Sequence, residues 1–207
     1  MKKIVKGEPP ADFAKFVAKE NPQHWEDIHK TKAYPKLYAE CVSQLKFEQD
    51  NLGGYTEKPL SGRVHIDHYR KRSLFPAQGY VFSWNNLIAD EYNMSFGAVY
   101  KDNLIQKIDD YERLIDPIAQ DPHHFFTYTE YGRIKPKEDL DDEEKMKAEF
   151  TIRTFNLQHP LLCDDRREIV ELVKAYHKGG LSAEEVKGLV SNLGYPSAVD
   201  YALTLYS

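Results

Sequence analysis

At 207 residues, with a formal charge of −5 and a pI near 5.9, the chain is long enough to bury a core as one domain with an appendage or as two small lobes, and too acidic to coat nucleic acid by bulk electrostatics. A composition of 41% hydrophobic, 29% charged and 13% aromatic residues excludes a disordered chain. No run approaches the roughly 20 apolar residues that span a bilayer, and the N-terminal lysines lead into Gly7-Glu8-Pro9-Pro10 instead of an apolar signal core, so a cytoplasmic protein with no membrane partner is expected.

In chain order, Phe13, Phe16 and Val17 at helical spacing predict a short helix over residues 11–19, capped by Asp12 and closed before Pro22. A longer helix is expected over 35–50, where Leu37, Tyr38, Cys41, Val42 and Leu45 recur at three and four. Residues 51–62, with three glycines and a proline around Tyr55, read as a turn or hairpin. Residues 63–69 then alternate as a strand does, with Val64, Ile66 and His68 on one face and His65, Asp67 and Tyr69 on the other. Residues 75–83 read as an irregular loop, and a second ordered piece begins at Trp84.

Further on, Tyr100, Leu104, Ile105, Ile108, Tyr111, Leu114 and Ile115 predict one helix over 99–115, closed by Pro117. Residues 121–137 are aromatic and punctuated by Gly132 and Pro136, as in a short hairpin. The acidic run 139–144 suits the N-terminus of another helix. A break near His159-Pro160 precedes a helix over 164–177; Ser182 and Glu185 form a capping box opening a helix to about 193, and 197–205 reads as the last. The fold class expected is α+β, mainly helical, divided into an N-terminal helical segment 1–50, a core 51–117 and a C-terminal mainly helical region 118–207.

Cys41 and Cys163 form no CxxC pair and read as small buried hydrophobes. Chemistry-bearing residues converge only at His65-Ile66-Asp67-His68-Tyr69-Arg70-Lys71-Arg72 and at Trp84-Asn85-Asn86-Leu87. Phosphodiester hydrolysis needs a metal on the phosphate oxygens, a base for water and support for negative charge. A carboxylate such as Asp67 is a ligand for hard Mg²⁺ or Mn²⁺, and His68, with an ordinary pKa near 6.5, is neutral and basic at cellular pH. Asn86 would orient the ring, and Arg70, Lys71 and Arg72 would bear on the phosphates. On an ideal strand Asp67 and His68 face opposite ways, so both reach one metal only if the strand ends or bulges there. Two plainer readings stand beside this one: a buried His satisfied by a neighbouring carboxylate, and a basic turn that is solvated surface. His24, His29, His123, His124, His159 and His177 fit no metal-ligand spacing.

The order of these features resembles the HNH nucleases found as the nuclease subunit of Septu and related retron anti-phage systems. The resemblance is carried by residues 46–60 (KFEQDNLGGYTEKPL), by Ile66-Asp67-His68-Tyr69-Arg70-Lys71-Arg72-Ser73 with Pro76, by Trp84-Asn85-Asn86-Leu87, and by Phe155-Asn156-Leu157 before Leu161 and Arg166; it covers roughly residues 40–175. It implies a ββα-metal core over 51–117, with His68 as general base, Asp67 as a metal ligand and Asn86 as the central Asn orienting the base. It also implies Lys101 as the helix lysine and a third metal ligand from the helix, assigned to Asn93 with Asn103 behind it. Gly53 and Thr56 replace cysteines that would hold a structural zinc, so no structural zinc is expected and packing must hold the unit. The function implied is a Mg²⁺- or Mn²⁺-dependent HNH endonuclease acting on DNA, or on RNA, and partnered by an ABC or SMC-like ATPase. A degenerate, non-catalytic HNH-fold adaptor on the same ATPase is the alternative, and a helical interaction protein with Asp67-His68 as a structural pair is a third.

Overall fold

The computed structural model describes residues 1–206, so the C-terminal region read to residue 207 is described to its penultimate residue. The chain is α+β and mainly helical, with two small antiparallel sheets. Helices α1 (Ala11–Glu20) and α2 (Tyr34–Glu48) flank a 3₁₀ turn, Trp25–Lys30, that carries Trp25 and Ile28 inward. Asp12 does not cap α1: Pro10 holds the cap position without a side-chain bond, and Asp12 sits inside the first turn, where its charge favours the helix dipole.

Strand β1 (Val64–His68) pairs antiparallel with β2 (Leu87–Glu91) in the register Val64↔Glu91, His65↔Asp90, Ile66↔Ala89, Asp67↔Ile88 and His68↔Leu87. In the connection between them, residues 75–83, expected as an irregular loop, contain a one-turn helix α3 (Gln78–Val81), and the ordered piece expected from Trp84 opens with a 3₁₀ turn, Trp84–Asn86. The helix expected over 99–115 is two pieces: α4 (Ala98–Leu104) and a 3₁₀ turn, Ile108–Arg113. It stops because the Lys71 ammonium takes the carbonyls of Asp102, at 3.0 Å, and of Ile105, while Ile105 turns extended and buries its side chain. Leu104 and Ile108, counted on the apolar face in the sequence, are exposed.

The C-terminal half brings α5 (Pro122–Phe125), the hairpin β3 (Phe126–Tyr128) and β4 (Ile134–Pro136), and helices α6 (Asp142–Thr154), α7 (Pro160–Lys178), α8 (Ala183–Val190) and α9 (Pro196–Tyr206). Capping boxes open α6 (Asp141 with Glu144) and α8 (Ser182 with Glu185), and Pro160 starts α7, as a residue with no N–H to satisfy can. Among the described residues no helix is long and apolar enough to cross a membrane.

The β1–β2 hairpin divides two hydrophobic cores. On one side Ile66, Leu87 and Ala89 join Phe13, Trp25, Leu37, Cys41, Leu45, Val81, Phe82 and Trp84. On the other Tyr69 and Ile88 join Tyr55, Phe96, Ile105, Phe155 and the C-terminal helices. Each core therefore draws residues from both sides of a boundary read in the sequence. The chain start also reaches the second core, with Met1 and Ile4 buried, Ile4 N–H donating to Pro117 O at 2.8 Å, and the Met1 ammonium on Glu57 at 2.6 Å.

Candidate functional site

β1 ends at His68, but its ladder with β2 is regular through His68↔Leu87, with no bulge to turn Asp67 and His68 the same way. Strand alternation then decides their surroundings. Asp67 faces the C-terminal core, where its Oδ2 accepts from the Tyr55 hydroxyl at 2.5 Å and from Lys101 Nζ at 2.7 Å. Burial alone would raise its pKa, but the Lys101 charge and these hydrogen bonds hold the carboxyl below its ordinary value. Lys101, fully buried on α4, also donates to the backbone oxygens of His68 at 3.0 Å and Tyr69 at 3.1 Å, spending its three protons, and lies 3.2 Å from Asp102 Oδ1 as an ion pair. Burial would push the ammonium's pKa down; Asp67 and Asp102 reverse that and raise it.

His68 faces the N-terminal core. Its Nε2 lies 3.0 Å from Val81 O, which can only accept, so Nε2 carries the proton; the ring stands edge-on to Trp25 at 4.7 Å between centroids. Only 6% of the residue is exposed, and burial lowers its pKa to about 4. The ring is neutral, largely buried against Trp25 and Val81, and the carboxylate beside it in sequence lies across the sheet.

Asn86 does not orient that ring. Its Oδ1 accepts from Arg70 N at 2.8 Å, and its Nδ2 donates to Arg70 O at 3.2 Å and Tyr80 O at 2.9 Å, tying together the connection between β1 and β2. Neither candidate for a third ligand joins Asp67: Asn93 Oδ1 accepts locally from Ser95 N at 2.7 Å, and Asn103 is an exposed residue whose carbonyl takes Gln106. Of the four basic residues expected on phosphate, Lys101 is buried and Lys71 ends α4. Arg72 pairs with Glu26 at 2.5 Å, and Arg70 lies over the rings of Phe75 and Tyr80.

Gly53, one of the two positions that the resemblance sets against zinc-binding cysteines, abuts Asp90 and the other position, Thr56, and Gly97 abuts Asp90 as well. A Cβ on Gly53 would stand 2.8 Å from Asp90 Oδ1 and 2.9 Å from Thr56 Oγ1, and one on Gly97 would stand 2.5 Å from Asp90 Oδ2. The Asp90 carboxyl fills this space and accepts from Ala98 N at 2.8 Å, fixing the start of α4. With no cation bonded to it, burial raises its pKa to about 7.

The donors around Asp67 do not fit a divalent ion. The carboxylate oxygen facing α4 is occupied by an ammonium and a phenol, and among the described residues no three His, Cys, Asp or Glu side chains are grouped to hold a metal. In this arrangement an ion pair ties the end of β1 to α4, and a neutral imidazole fills the opposite core. Sequence reasoning missed Tyr55, Asp102, Trp25 and Val81 O as partners. One signal was present, since Ala98, Lys101 and Ile105 recur at three and four and put Lys101 on the buried face of α4. Compared with known proteins, the chain matches no protein-family model and no curated protein.

Proposed function

We propose that the chain is an HNH-type ββα protein whose central site is non-catalytic, and that it acts as an adaptor on an ABC or SMC-like ATPase in a cytoplasmic anti-phage system. The observation that carries the non-catalytic reading is the divergence of Asp67 and His68 into separate cores, the first on Lys101 and the second on Val81 O. The ββα reading rests on the order β1, β2, α4 with Asp67, Asn86 and Lys101 on or beside those elements. The ATPase and the defence setting rest on the resemblance over residues 40–175.

A metal-dependent endonuclease acting on DNA or RNA, the activity the resemblance implies, would require Asp67 to leave both Tyr55 and Lys101 and His68 to leave Trp25. Purified protein with Mn²⁺ or Mg²⁺ on supercoiled plasmid and on total RNA, alone and with the ATPase encoded beside it, separates the two. The adaptor reading expects a stable complex with the ATPase and no cleavage. Cleavage that His68→Asn abolishes would replace it with the nuclease.

A further inference from the structure

The Lys101 ammonium lies inside a set of four oxygens. Asp67 Oδ2 is 2.7 Å away, His68 O 3.0 Å, Tyr69 O 3.1 Å and Asp102 Oδ1 3.2 Å, with the rings of Tyr55 and Tyr69 at 5.6 and 6.0 Å to centroid. Two carboxylates and two carbonyls are the donor chemistry of a hard cation site. The separations, however, are those of a hydrogen-bonded ammonium and not the 2.0–2.6 Å of Mg²⁺ or Ca²⁺. The cage is built by two elements: β1 and the residue after it supply three oxygens, and α4 supplies Asp102 and the cation itself. Lys101 and Asp67 are both buried, so little water replaces either if that pair is broken, whereas the Asp102 side chain is 40% exposed.

We propose that Lys101 is the resident cation of this cage, a covalently tethered replacement for a divalent metal ion, and that the protein joins β1 to α4 without metal. The ammonium supports it: it already sits between two carboxylates, and a divalent ion added at hydrogen-bond distance from it would meet like charge beside the buried Asp67 carboxylate. The inference concerns the same site as the adaptor reading and shares the Asp67–Lys101 pair with it, but its test reads binding and stability instead of cleavage.

Two measurements test it. In a Mn²⁺ titration of the native protein followed by electron paramagnetic resonance, the proposal expects no tight site, only weak binding that Asp67→Asn leaves unchanged, and a melting temperature that EDTA does not move. A stoichiometric Mn²⁺ site lost in Asp67→Asn would overturn it. Lys101→Met keeps the length of the side chain and removes its charge, and should lower the melting temperature by about 10 °C. Asp67→Leu added to it should restore at least half of that loss, because the stranded carboxylate goes with it. A Lys101→Met protein as stable as the native one would also overturn the proposal, and the Mn²⁺ titration decides even where a variant does not fold. Mn²⁺ bound at Asp67 with no cleavage would sink this inference and leave the adaptor reading; cleavage with no Asp67-bound ion would do the reverse.

Discussion

Asp67 and His68 are consecutive residues of β1, yet the carboxylate is bonded to Lys101 in the C-terminal core and the imidazole to Val81 O in the N-terminal one. The regular ladder, which pairs Asp67 with Ile88 and His68 with Leu87, enforces this separation. Rotating either side chain across the sheet would break a buried hydrogen bond and open a packed core, each costing on the order of 1–3 kcal/mol.

His68 gives the fold an acid limit. Its pKa is about 4 in the folded chain against 6.5 for the free side chain, so the unfolded state binds the extra proton between those values. Its contribution is complete above pH 6.5 and is lost as pH falls toward 4, for a total of roughly 3 kcal/mol. Urea unfolding at pH 7.5, 5.5 and 4.5 should show this decline, and His68→Leu should flatten it while lowering stability at pH 7.5 by about 1 kcal/mol through the unpaired Val81 carbonyl.

Asp90 has the opposite sign. Its folded pKa, raised from 3.8 to about 7, means that the folded state holds the proton longer, so the carboxyl costs nothing below pH 3.8 and its penalty grows as pH rises to about 7. Asp90→Asn keeps an oxygen for Ala98 N and removes the charge. It should raise stability at pH 8 by a few kcal/mol and change it little at pH 4, as a melting series across pH would show.

Much of the architecture was legible. Alternation of Val64, Ile66 and His68 against His65, Asp67 and Tyr69 gave β1 and both its faces, and the capping residues Ser182 and Glu185 gave the start of α8. Periodicity predicts one helix over 99–115 where two pieces form, because the residue that ends α4 is Lys71, more than thirty positions away, and periodicity carries no trace of a distant cap. At the site, Asp67, His68, Asn86 and Lys101 are all legible as candidates and all are buried, on or beside the hairpin and α4, but on different faces of it. Their partners include Trp25, Tyr55 and Val81, which no local spacing points to and which tie these residues to neighbouring elements.

Asn86 is such a tie. With three part-buried hydrogen bonds to the backbone of Arg70 and Tyr80, its replacement by alanine removes all three and should cost about 1–3 kcal/mol. Hydrogen exchange should accelerate at Arg70 and through residues 69–86 and leave α7 protected.

At the surface the expectation is the reverse. Arg72 and Glu26 pair at 2.5 Å, with 40% and 67% of their side chains exposed. Arg72→Ala should change the unfolding free energy by less than about 1 kcal/mol, and salt should shrink even that.

The most direct test of the whole account is a crystal of the protein soaked in Mn²⁺ and measured at the manganese absorption edge. The account predicts Lys101 Nζ still on Asp67 and no manganese bound to that carboxylate. An ion held by Asp67, with the His68 ring turned toward a water on it, would contradict it.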